Sequence, residues 1–175
     1  MSNYVSWRRT GVTRRMRLKG HDYSEPGYYF VTITEAHHAC RFGRVHDDSF
    51  VPFPSGDMLA DEWSQLEDRF PDVMWDAFCV MPNHFHAIVG FGVADSLAVS
   101  GTSISSVVQA FKSRTTVSYG RGVRENGWPP FDGRLWHTGF YDHIVRTERD
   151  LDRVRAYIER NPAQWDEDRF YVPGW

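Results

Sequence analysis

Cysteine is scarce: the 175 residues contain only Cys40 and Cys79. Two cysteines with no CxxC pair cannot form a disulfide framework, so the expected compartment is a reducing one. No apolar run approaches the roughly 20 residues that span a bilayer, and no apolar segment follows the basic N-terminal residues as it would in a secretory signal. These absences lead to the expectation of a soluble, cytoplasmic chain with no membrane partner. Net positive charge is lacking too, since the total is −3, which by itself does not advertise a nucleic-acid partner. Internal repeats and a convincing linker are also missing. What the chain does have is 41% hydrophobic and 15% aromatic residues, seven of them Trp. That is ample for one folded domain with a proper core.

The charge is unevenly distributed. Arg8, Arg9, Arg14, Arg15, Arg17 and Lys19 fall in the first 19 residues with no acid among them, while the remaining 156 residues hold 14 basic and 23 acidic side chains. A basic arm on an acidic body reads as a polyanion-binding tail, because neutralising phosphates releases counterions. A solvated N-terminus is the plainer reading. Tyr4 and Trp7 favour contact with bases, on which aromatic faces stack.

Along the chain, residues 28–34 are aromatic and β-branched and predict a strand. Residues 41–45 are the expected hairpin partner, with His37 and His38 in the intervening turn. Residues 47–56 read as a loop. An amphipathic helix should start at Gly56 or Asp57, bury Leu59, Trp63, Leu66 and Phe70, and stop at Pro71. Residues 73–80 predict a second strand, which turns through Met81-Pro82-Asn83 into a third apolar strand ending near Phe91. Together these two form an antiparallel central pair. A second helix is expected over residues 103–114, with Ile104, Val107, Val108 and Phe111 on its apolar stripe. Lys112 and Arg114 lie off that stripe and face either a phosphate backbone or water. Residues 120–134 read as loop. Thr147 is a plausible N-cap for a last helix over residues 148–160, with Asp150 at the third helical position. Pro162 should end it and push Asn161 out of the α region, leaving that amide at a frayed end. This order of elements gives an α+β sandwich, with helices on one face of an antiparallel sheet.

The chemistry-bearing pattern is His84-Phe85-His86. On a strand, alternate side chains share a face, so both imidazoles project together while Phe85, Ala87 and Val89 project oppositely. Two neutral imidazoles held close on a stiff strand are half of a divalent-metal site. They could equally belong to a polar edge strand that touches solvent. Two tyrosines compete for a catalytic role. Tyr157 and Asn161 are four apart and share a helix face. Tyr141 sits among polar neighbours, with His143 close by as a supporting group.

Several stretches occur together and in order: RLKGHDYSEPGYYFVTIT, CVMPNHFHAIVGF, SSVVQAFKSRTT, LWHTGFYDHIVRTERDL and AYIERNP. Over roughly residues 14–165 the chain therefore resembles the REP-associated tyrosine transposases, relatives of the single-strand transposases of insertion sequences. The resemblance implies a ferredoxin-like HUH nuclease fold, with a basic arm over residues 1–20, a catalytic domain over 21–165 and a tail over 166–175. It also implies that His84 and His86 are metal ligands joined by Asn161, that Mg2+ or Mn2+ is the cofactor, and that Tyr157 is the nucleophile. Tyr157 would attack single-stranded DNA near hairpins, leaving a 3′-hydroxyl and a 5′-phosphotyrosine. The implied partners are REP-like hairpins and, in mobile relatives, a second copy of the chain. Two other readings remain at this stage. One is a module that binds a DNA or RNA hairpin without cutting it. The other is a metal phosphoesterase that uses activated water.

Overall fold

The computed structural model describes residues 26–92 and 102–174. Six strands form: β1 (Gly27–Thr34), β2 (Gly43–His46), β3 (Ser49–Pro52), β4 (Val73–Met81), β5 (His84–Phe91) and β6 (Tyr141–Val145). The helices are α1 (Pro54–Ser64), α2 (Leu66–Arg69), α3 (Ile104–Asn126) and α4 (Glu148–Arg160), followed by a 3₁₀ turn over Pro162–Glu167. Four strands make one antiparallel sheet in the order β4-β5-β1-β6. Two split β-α-β units, β1-α1-β4 and β5-α3-β6, interleave to give that order, which is the ferredoxin-like arrangement.

β4 and β5 form the predicted antiparallel pair, but not a central one: β4 lies at an edge, and the central strands are β5 and β1. The alternation along β1 and β5 sorts the layers. Tyr29, Val31, Ile33, Phe85, Ala87, Val89 and Phe91 join Leu59 and Trp63 of α1 and Val107 and Phe111 of α3 in the main core. The opposite face carries a smaller core of Ile88 and Val145 against Leu151, Val154 and Ile158 of α4. The expectation of helices on one face therefore holds for the two crossover helices alone. α4 covers the other face, because its own apolar stripe needs a partner and the main core is already filled.

Other differences have local causes. Residues 41–45 do not pair with β1, whose two edges are taken by β5 and β6. Instead β2 pairs with β3 across Asp47-Asp48, both at positive φ (49° and 57°). That is the left-handed pair a two-residue hairpin needs and that aspartate tolerates. α3 continues past residue 114 because its buried stripe continues through Thr115, Tyr119 and Gly122, and Gly127 at φ 68° caps it. Residues 120–126 are thus helix rather than loop. A Cβ on Gly122 would lie 2.2 Å from the Trp128 ring, so this glycine admits the indole against the helix. Asn161 stays in the α region (φ −56°, ψ −42°), since Pro162 opens the 3₁₀ turn directly behind α4. Its side chain is consequently buried, not frayed. Residues 166–174, read as a tail, fold back onto the sheet and bury Phe170.

Candidate active site

All eight residues of β5 are buried. This central strand carries His84 and His86 into the layer between sheet and α4, with only 0% and 2% of their surfaces exposed. A solvent-touching edge strand is excluded. Their Nε2 atoms face each other at 3.0 Å. Burial disfavours the charged imidazolium, holding His84 well below its ordinary pKa and His86 down to about 3. Both rings are therefore neutral and can offer a lone pair. Their outer nitrogens are occupied: His86 Nδ1 meets Thr32 Oγ1 at 2.8 Å, and His84 Nδ1 meets Asn83 Oδ1 at 2.9 Å.

Helix α4 supplies the next layer. The Thr147 hydroxyl accepts from the Asp150 amide and fixes its start, while Leu151, Val154 and Ile158 seat it on the sheet. Tyr157 consequently stands edge-on to His86 with ring centroids 5.5 Å apart, and edge-on to Phe30 at 5.8 Å. Burial pushes its phenol up to about 12, with the Asp168 charge adding to the shift and Asn161 and Arg169 opposing it. Asn161, 2% exposed, lies beside His84, Tyr157 and Asp168. Its Oδ1 has no hydrogen-bond partner among the described residues.

The returning C-terminal segment adds two groups that the sequence pattern does not reveal. Asp168 Oδ2 lies 3.8 Å from His84 Nε2, with its side chain 4% exposed and its carboxyl raised by burial. One ligand atom from each of His84, His86 and Asp168 falls within 4.8 Å of the others. Arg169 places its guanidinium 4.4 Å from the Tyr141 ring centroid and 4.6 Å from that of Phe170. No spacing rule links residue 168 to residue 84, and only the apolar Trp165 and Phe170 hint that this segment packs.

The donor set of two imidazole nitrogens, a carboxylate oxygen and an unpartnered buried amide oxygen fits a divalent cation. An orphaned polar atom of this kind is rare in a fold unless a ligand satisfies it.

The remaining sequence candidates lie elsewhere or are engaged. Tyr141 is on β6 under Arg169. His143 Nε2 pairs with Asp150 Oδ2 at 3.1 Å, tying β6 to the start of α4. The Lys112 ammonium donates to the carbonyls of His137 (2.8 Å) and Gly139 (2.7 Å), and burial pulls it down to about 8. Arg114 pairs with Glu62 at 2.6 Å and also bonds Gln65. Both cations thus hold protein segments together rather than standing free for a phosphate. Arg8, Arg9, Arg14, Arg15, Arg17 and Lys19 lie outside the described residues.

A ferredoxin-like sheet with a buried histidine pair on its central strand, faced by a tyrosine-bearing helix, defines the structural class. The sequence model of IS200-like transposases matches residues 71–161, which run from β4 to the end of α4. A protein of Haemophilus influenzae (strain ATCC 51907 / DSM 11121 / KW20 / Rd), itself described as uncharacterized, is 32% identical over 174 aligned residues, covering 91% of this chain and 93% of that one. The chain belongs to the IS200-like transposase family, and with it comes a transposase role. A solved REP-associated tyrosine transposase bound to a REP hairpin shares the fold, with a TM-score of 0.56 and 21% identity over 82% of this chain and 71% of that chain. Among the described residues no helix is long and apolar enough to cross a membrane.

Proposed function

We propose that the chain cuts and rejoins single-stranded DNA at or near hairpins through a covalent Tyr157 intermediate. The observation that carries this reading is the approach of Tyr157 to His86 in the same pocket as the unpartnered Asn161 oxygen. His84, His86, Asn161 and Asp168 would hold Mg2+ or Mn2+. The bound cation supplies Lewis-acid stabilisation of the negative charge that develops on a phosphate oxygen.

The side chains do the rest. Tyr157 Oη attacks phosphorus and loses its proton. The bond from phosphorus to the 3′-oxygen breaks, and that oxygen takes up a proton to leave as a 3′-hydroxyl. The 5′-phosphotyrosine keeps the energy of the broken bond, so a second 3′-hydroxyl reverses the step without ATP. Arg169, whose guanidinium lies against the Tyr141 and Phe170 rings at the edge of the pocket, would bind a DNA phosphate beside the tyrosine. Likeness in fold to a hairpin-bound transposase supports hairpin DNA as the substrate.

The test mixes protein, Mn2+ and end-labelled hairpin DNA and looks for protein-linked label on a denaturing gel. Tyr157→Phe should abolish the adduct and Tyr141→Phe should retain it, while Arg169→Gln should slow its formation roughly 100-fold. Cleavage without an adduct would replace the tyrosine with activated water. Binding with neither would leave a hairpin-binding protein.

A further inference from the structure

The turn that joins β4 to β5 ends in Asn83, which a sequence places there for its tolerance of turns. In the structure it is fully buried and its side chain bonds three separate stretches of chain. Its Nδ2 donates to the His38 carbonyl at 2.9 Å and to the Phe170 carbonyl at 2.8 Å. Its Oδ1 faces His84 Nδ1 at 2.9 Å. The chemistry of these partners leaves no choice of orientation. Carbonyls only accept, so the amide nitrogen must face both of them; a flipped amide would set its oxygen against two carbonyl oxygens.

We propose that Asn83 is a positioning residue for the cation site, fixing His84 as the tautomer with hydrogen on Nδ1 and a lone pair on Nε2. This rests on the reading of His84 as a ligand. With both amide hydrogens spent, Oδ1 can only accept, and His84 Nδ1 must donate to it. In the neutral ring the lone pair then sits on Nε2, the atom that points to His86 and Asp168. On His86 the Val31 carbonyl accepts from the ring and the Thr32 hydroxyl can give or accept, so the Asn83 amide acts on His84 alone. The same amide ties the segment carrying Asp168 to the turn beside His84, through the Phe170 carbonyl.

The experiment is nitrogen-15 NMR of the imidazoles in the full-length protein without metal and then with Mg2+, together with Mn2+ affinity read by electron paramagnetic resonance. The expected spectrum without metal shows His84 as the Nδ1–H tautomer, and Mg2+ leaves that tautomer in place. Asn83→Ala should mix the His84 tautomers and weaken Mn2+ binding roughly 10- to 100-fold. Thr115→Ala removes a buried hydroxyl remote from the site and should leave tautomers and affinity unchanged, which separates positioning from general loss of stability. An Nε2–H form of His84 in the unsubstituted protein, or an Asn83→Ala variant with unchanged tautomers and affinity, would overturn the proposal. If Asn83→Ala does not fold, the His84 tautomer of the unsubstituted protein still decides it. None of these readouts involves DNA, so a failure of the Tyr157 chemistry would be seen separately.

Discussion

Asn161 shows how much a single side chain can reveal. A sequence rule about residues preceding proline sends it to a frayed helix end, yet it sits at the centre of the pocket. Its oxygen gives up no protein hydrogen bond when removed, whereas its amide nitrogen bonds Tyr157 and Asp168. Asn161→Ala should therefore cost about 1–3 kcal/mol of stability in EDTA while weakening Mn2+ binding roughly 10- to 100-fold by calorimetry. A large loss of stability in EDTA with unaltered Mn2+ affinity would show the amide to be a packing group. At this scale the period-two rule made His84 and His86 legible, and the four-residue helical spacing did the same for Tyr157 and Asn161. Asp168, Arg169 and Asn83 were not legible. The first two reach the pocket only because Trp165 and Phe170 pull the chain back across the sheet, and a buried asparagine has the same letter as one in an exposed turn.

Helix α4 was legible to the residue because three signals agree: a threonine cap, a narrow apolar stripe and a following proline. Its placement was not, since an apolar stripe says that a face is buried without saying which face of the sheet buries it. Strand β6 escaped notice because it is a short edge strand with polar Asp142 and His143 breaking its pattern. The helix spans the sheet between its two outer strands. Asp150 meets His143 of β6, and Arg155 makes a two-pronged pair with Asp76 of β4, with contacts of 2.6, 3.0 and 3.2 Å. Asp76 reaches out from an irregularity in the β4–β5 ladder between Trp75 and Phe78. Its hydrogen bonds from Arg155 hold its carboxyl below the usual carboxylate range. A depressed carboxylate stabilises the fold fully above its unfolded pKa of about 3.9 and stops doing so as pH falls through the lower folded value. Asp76→Asn should thus cost about 1 kcal/mol at pH 7 in a denaturant titration, the pair being partly solvated. The difference between variant and parent should be flat above about pH 5 and shrink below about pH 4. A difference that grew as pH fell would contradict this account.

At the scale of the whole molecule, the fold class was readable from the alternation of elements, whereas the layer holding the site was not. Charge is organised at this scale too. The acidic total belongs to the body, the six cations of residues 1–19 stand apart from it, and Lys112 and Arg114 are already occupied within the protein. Any long-range attraction for DNA should then reside chiefly in the arm. Removing residues 1–19 should weaken hairpin binding and reduce the slope of log affinity against log salt by about 0.7–0.9 for each phosphate that the arm neutralises. An identical slope in a filter-binding titration would place the attraction elsewhere.

The unequal division of the two cores has a dynamic consequence. The face under α1 and α3 is sealed by a broad aromatic and aliphatic layer, whereas α4 is held by a cluster of five buried residues, three of them its own, and two polar tethers. A sheet so divided has two cooperative units of different strength. The tyrosine helix can open as a subglobal event while the four strands and the histidine pair stay folded. Amide hydrogen exchange should reveal this as α4 amides exchanging well before those of β5 and α3, and a single exchange rate across all three would mean that the molecule opens only as a whole. On the proposed chemistry, a helix that can leave and return would also carry a tethered DNA end away from the place where it was cut.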